Sequence, residues 1–179
     1  METEEVVNKF LRDIVNIILG ISTFTIKARQ DAPRPTKAYA DVSYISGFDI
    51  GWEQQSLINQ TGEGESDLIE TMSGQREKMF SIGFYRTGAR DYAAQVRNSL
   101  VGSNIVQTFA DAGIGLIRRS EIRDISEFFE KHKWEERAQF DIFLNIVGSS
   151  EDIIRSILST EISGEVQSNS NQHNLNITI

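Results

Sequence analysis

The run EERAQFDIFLNIV, residues 135–147, carries the clearest periodicity in the chain. Ala138, Phe140, Ile142, Leu144 and Ile146 fall on every second position, with Arg137, Gln139, Asp141 and Asn145 between them. Side chains alternate across a strand, so this pattern predicts a strand with one face in a core and one face polar. Upstream, IGLIRRSEIR (114–123) reads as a second strand. Between them, Ser126 is placed to cap a short helix holding Phe128 and Phe129. Trp134, just ahead of the patterned strand, is expected in or at the edge of the core. Beyond it, Ile153, Ile154, Ile157 and Leu158 suggest a helix over residues 150–158.

Working further outward, residues 88–101 follow helical spacing through Ala89, Tyr92, Ala93, Val96 and Leu100, and a shorter helix resumes over 104–112. Residues 38–46 alternate, with Ala38, Ala40, Val42 and Tyr44 on one side. REKMFSIGFYR (76–86) reads as their return strand, with Phe80, Ile82 and Phe84 together. The two predict a long hairpin whose Gly-, Gln- and acid-rich tip begins near residue 47. QDAPRPTK (30–37) holds the only two prolines, Pro33 and Pro35, and forms a stiff connector. Before it, TFTIKAR (23–29) reads as a short strand. Val6, Val7, Phe10, Leu11, Ile14, Ile17 and Ile18 make the apolar stripe of a helix over 4–19, with Thr3 at its start and Gly20 at its end. At the far end, residues 167–176 are polar apart from Leu175, and Leu175–Ile179 alternate as a strand added to a neighbour's sheet would. The predicted fold class is α+β: one domain, a mixed or mostly antiparallel sheet flanked by helices, a long acidic hairpin arm and a polar C-terminal tail. Its organisation is a body over 1–160, including an arm at 47–75, and an extension over 161–179.

Charge is unevenly placed. The 179 residues carry a net charge of −8. Between Lys37 and Arg76 there is no basic residue, yet Asp41, Asp49, Glu53, Glu63, Glu65, Asp67 and Glu70 lie there. An acidic chain lacks the clustered Lys and Arg that grip nucleic acid phosphates. With no cysteine, disulfide frameworks, thiolate metal sites and thiol nucleophiles are excluded. Glu2, Glu4 and Glu5 have the wrong sign for a secretory signal, and no apolar run reaches membrane-spanning length, so a reducing cytoplasm is the expected place of folding.

Candidate chemistry fails residue by residue. Gly113 and Gly115 lack the third glycine of a dinucleotide loop and precede a strand. Glu63, Glu65 and Asp67 are spaced like the first calcium ligands of an EF-hand, but Leu68 and Gly74 stand where glycine and a bidentate glutamate are needed. Glu135 and Glu136 point to opposite faces and serve as solvated or ion-paired groups. His132 sits between lysines and His173 in the polar tail. No catalytic residue, metal or cofactor is assigned. Trp52, in the acidic stretch and outside any core pattern, is a candidate contact residue.

Four segments in order resemble one family: QDAPRPTKAYADVSYISG (30–47), SGQREKMFSIGFYRTGARDYAAQVRNSL (73–100), AGIGLIRRSEIRDIS (112–126) and KWEERAQFDIFLNIV (133–147). The APRP connector and the W-E-x-R-A-x-F-D strand are the most specific. Together they resemble the neck or tail terminators of tailed bacteriophages. That resemblance implies a structural virion protein, located at the tail or neck and assembled in the host bacterial cytoplasm. It implies a hexameric ring on the head-proximal end of the tail tube, ending tube polymerisation. The implied partners are further copies of the chain, the tail tube protein, and a neck, connector or head-completion protein, with the tail sheath as a further candidate. DNA would pass through the lumen without specific binding. Another neck component is the alternative, and a non-viral acidic cytoplasmic binding module a more distant one. The expected interface residues are Pro33, Arg34, Pro35, Trp52, Glu53, Glu63, Glu65, Asp67 and Glu70.

Overall fold

The computed structural model describes residues 4–31, 33–59, 67–129, 133–155, 161–168 and 171–178. Val6 and Ile17 of the predicted stripe are exposed, whereas helix α1, Glu4–Leu19, buries Val7, Leu11 and Ile14 from it together with Val15, which the stripe did not include. Burying each of these side chains contributes roughly 1.5–3 kcal/mol. Gly20, at φ 67, ends the helix in the left-handed region, where glycine carries no Cβ penalty. Strand β1 (Thr25–Lys27) then pairs in parallel with β2 (Tyr39–Asn59), Thr25 opposite Ala40. Strand β3 (Asp67–Tyr85) is next in the sheet, followed by β8 (Arg137–Arg155) and β4 (Ile114–Arg119). Contacts run in opposite order along β2 and β3: Asp41 meets Tyr85, Ser46 meets Met79 and Glu53 meets Arg76. β4 and β8 are antiparallel, with a register shift between Leu116 and Arg118. The sheet is therefore mixed, as expected.

Helices α2 (Ala89–Ser99) and α3 (Ser103–Asp111) follow β3. Ala89, Ala93, Val96, Leu100 and Phe109 join α1 and one face of the sheet in a single core. That face carries Ala40, Val42, Phe80, Ile82, Phe84, Ala138, Phe140, Ile142, Leu144 and Ile146, the residues the alternation assigned to it. Phe84 and Phe140 stack across neighbouring strands at 6.0 Å. The chain divides into two compact units. One comprises residues 1–53 and 73–149 and holds this core; the other comprises 54–72 and 150–179.

Four expectations change. First, β2 and β3 extend far into the acidic stretch: residues 47–59 and 67–75 are strand, and only 60–66 of the expected tip lie outside the described residues. Gly47 does not end the strand: its backbone passes close under the Tyr44 hydroxyl, which an added Cβ would meet at 2.9 Å, so glycine there serves a close approach and not a turn. Second, residues 150–155 continue β8 instead of starting a helix. Their isoleucines are β-branched and favour strand geometry, and a strand already paired extends more readily than a new helix nucleates. Third, Glu127–Phe129 is strand β6, paired antiparallel with β7 (Lys133–Glu135), Phe128 opposite Trp134. Asp124 accepts a bond from the Ser126 backbone N–H at 3.0 Å, and Ser126 Oγ accepts one from the Arg137 N–H at 3.0 Å. Those bonds make a turn onto β8 and use up the helix cap. Fourth, Asn171–Thr178 (β10) pairs antiparallel with Glu161–Ser168 (β9), so the alternating end finds a partner strand within its own chain. Thr3 and His132 lie outside the described residues.

Candidate functional site

The two segments that stood out in the sequence meet in space. Their meeting point is Glu135, at the end of β7 and only 4% exposed. It faces three arginines. Arg137 Nε donates to Glu135 Oε2 at 2.7 Å, Arg86 Nε lies 3.3 Å from Oε1, and Arg34 Nη1 lies 3.6 Å from Oε2. Arg34 belongs to the proline connector, Arg86 to the turn after β3 and Arg137 to β8, so one carboxylate ties three remote segments together. Arg86 also donates to the Pro35 carbonyl at 3.2 Å, and Arg137 pairs with Glu127. Glu136, pointing the other way, accepts the Gly88 N–H at 2.8 Å beside the first turn of α2. A carboxylate there suits the positive end of the helix dipole. The opposite-face reading of the two glutamates is thus observed, with one buried and one capping.

Aromatic rings complete the node. Tyr39 stacks on Tyr85 with centroids 4.7 Å apart, and Arg34 and Arg137 lie 5.6 and 5.8 Å from the Tyr85 centroid. Tyr39 also accepts a bond from Arg34 Nε at 3.1 Å. Tyr85 donates its hydroxyl proton to Asp41 Oδ2 at 3.2 Å. Burial raises the Asp41 carboxyl above its ordinary value, offset in part by this bond. Burial, with Asp41 alongside, holds the Tyr85 phenol well above the usual tyrosine range. The folded state therefore keeps a proton on Tyr85 that the unfolded chain releases near pH 10. The stability Tyr85 contributes is full below that pH and falls as pH rises above it. In a titration of tyrosinate absorbance, Tyr85→Phe is expected to remove the latest-rising part of the curve; an unchanged late phase would contradict the burial. Arg86 sits at φ 77, a conformation a non-glycine residue adopts only when its surroundings enforce it.

The remaining expected interface residues are dispersed. Pro33 is exposed and Pro35 half-buried, so the connector is anchored chiefly through Arg34. Trp52 is fully exposed at 101%. Glu53 is also exposed and shares Arg76 with Asp49, at 3.1 and 3.0 Å. Glu70 is half-buried on β3, and Asp67 opens that strand. Glu63 and Glu65 lie outside the described residues. Trp134, expected near the core, is 58% exposed and packs edge-on against Phe128, itself 72% exposed, at 4.8 Å. The reason is that β6 and β7 form a separate two-stranded sheet and shelter only each other. Sequence reading missed the arginine cluster. The only available signal was that Glu135 and Arg137 share a parity opposite to the core residues of β8.

Beside the node is a cleft of about 500 Å³ lined by Lys37, Ala38, Thr87, Lys133, Trp134 and Glu136, among others. Among the described residues there is no cluster of three or more acidic or histidine side chains able to hold a metal ion, and no helix long and apolar enough to cross a membrane.

The node is a buried ion cluster that fixes the connector to the sheet, with exposed aromatics and charges around it. The chain belongs to the phage neck terminator protein family, whose model it matches over residues 4–169. It is a structural phage protein of the neck and tail, not an enzyme, and its association is with other proteins of that assembly. Among curated proteins no relative matches the chain.

Proposed function

We propose that copies of this chain form a hexameric ring on the head-proximal end of the tail tube. The ring ends tube polymerisation and joins the tail to the neck or connector, and genomic DNA passes through its lumen without specific binding. The observation that carries this reading is the family match, which spans all three helices and the whole main sheet. The charge distribution supports it. Apart from Asp41, which is tied up with Tyr85, six acids and no base lie between Lys37 and Arg76, and such a stretch suits a wall past which DNA must slide, because a negative lumen repels phosphate. The arm, residues 47–75, lines that lumen or overlaps the next subunit, and Pro33, Arg34, Pro35, Trp52, Glu53 and the arm's acids supply contacts. Assembly takes place in the host cytoplasm around a body of residues 1–160, with 161–179 as an extension.

A reconstruction of the virion neck tests this. Six copies in one ring directly above the last tube ring are expected. Density for the chain on the connector side alone would favour a tail-completion or connector-docking protein instead.

A further inference from the structure

The cleft beside the arginine node has an unusual charge state for so acidic a chain. Both glutamates in its wall are committed: Glu135 to three arginines and Glu136 to the start of α2. Lys37 and Lys133 also line it, and among the described residues neither has a carboxylate partner. The exposed indole of Trp134 forms one side. A pocket with two free ammonium groups and an aromatic wall fits an acidic segment carrying an aromatic ring, since the ammoniums take carboxylates and also favour the face of an indole.

The chain itself carries such a segment. In β2, Asp49 and Glu53 share one face and a single arginine, Arg76, while the intervening Trp52 is fully exposed on the other face of the same segment. They cannot reach their own cleft. Ala38, just ahead of β2, lines the cleft, and Trp52 lies fourteen residues further on in that extended strand, a path of up to roughly 45 Å at about 3.3 Å per residue. Two complementary patches this far apart on one molecule meet only between copies, and such a head-to-tail contact generates a closed ring when the rotation closes. We propose that the cleft between Lys37, Lys133 and Trp134 receives the Asp49–Glu53 segment of a second copy. This names the subunit contact of the ring and rests on that reading.

Because the chain has no cysteine, introduced thiols report only on themselves. Glu53→Cys and Lys133→Cys, both at exposed positions, are combined in one full-length chain and oxidised. A disulfide needs Cβ atoms about 4 Å apart, so it traps only a real neighbour. The expected result is a ladder of linked dimers and higher species on non-reducing gels, several-fold stronger than from a control pairing Lys9→Cys with Lys133→Cys. Circular dichroism checks that both proteins fold. A ladder no stronger than the control overturns the contact. If electron microscopy of that sample still finds rings, the ring reading survives with a different interface; if it finds only single copies, the ring reading loses support as well.

Discussion

Replacing Glu135 with alanine is expected to destabilise the protein by about 3 kcal/mol. Removing one partner of a buried ion pair typically costs about 3–5 kcal/mol, because the remaining charge stays desolvated. The lower end applies here because the Arg34 and Arg86 side chains are 38% and 29% exposed and keep part of their hydration. For a chain of 179 residues this corresponds to a melting midpoint about 6–12 °C lower. The loss has a local signature. Arg34 holds the connector to Glu135, and Arg86 holds both Glu135 and the Pro35 carbonyl. Without the carboxylate the three arginines repel, the connector detaches and tryptic cleavage after Lys37 accelerates. Glu135→Gln keeps the shape and a hydrogen-bond acceptor and is expected to lose less. A midpoint shift below about 2 °C with unchanged cleavage would mean the node is not what fixes the connector.

What the sequence revealed depended on whether the responsible interaction was periodic. The β8 alternation from Ala138 to Ile146 and the Val7, Leu11 and Ile14 centre of the α1 stripe are repeated local signals, and the core contains them as read, while the stripe's edges at Val6 and Ile17 stay exposed. The Gly20 helix end was equally local. Failures came where a non-local partner overrode the pattern. Ser126 has the chemistry of a helix cap, but the backbone of Arg137, eleven residues on, takes its hydroxyl. Residues 153 and 154 have helical spacing in company with 157 and 158, which lie outside the described residues, but the strand that begins at Arg137 runs on through Ile153 and Ile154 to Arg155. Trp134 was expected in or at the edge of the core because it stands just ahead of the patterned strand; its place in the small β6–β7 sheet leaves it exposed instead. At the candidate site, the ion pairing of Glu135 was readable in kind. Its three partners were not, since Arg34, Arg86 and Arg137 are separated by many tens of residues and carry no shared period. The exposure of Trp52 was legible from its acidic, non-core surroundings.

The node also explains why the proline connector and the W-E-x-R strand stand out together. Pro33 and Pro35 limit the connector's freedom, which lowers the entropy lost when Arg34 is fixed. Glu135 and Arg137 then give it a buried seat, and Tyr85 a flat surface to lie on. A rigid connector keeps its exposed face, including Lys37, in one place, and a subunit contact needs that fixity.

Tube growth tests the central claim most directly. Purified tail tube protein lengthening in solution is mixed with this chain, and tube lengths are measured by electron microscopy. The account predicts that added chain stops elongation at one end only, so that mean length falls steeply as the chain approaches one ring's worth of copies per tube and every arrested end carries a cap. Tubes of unchanged length, with the chain unbound or scattered along their sides, would contradict it.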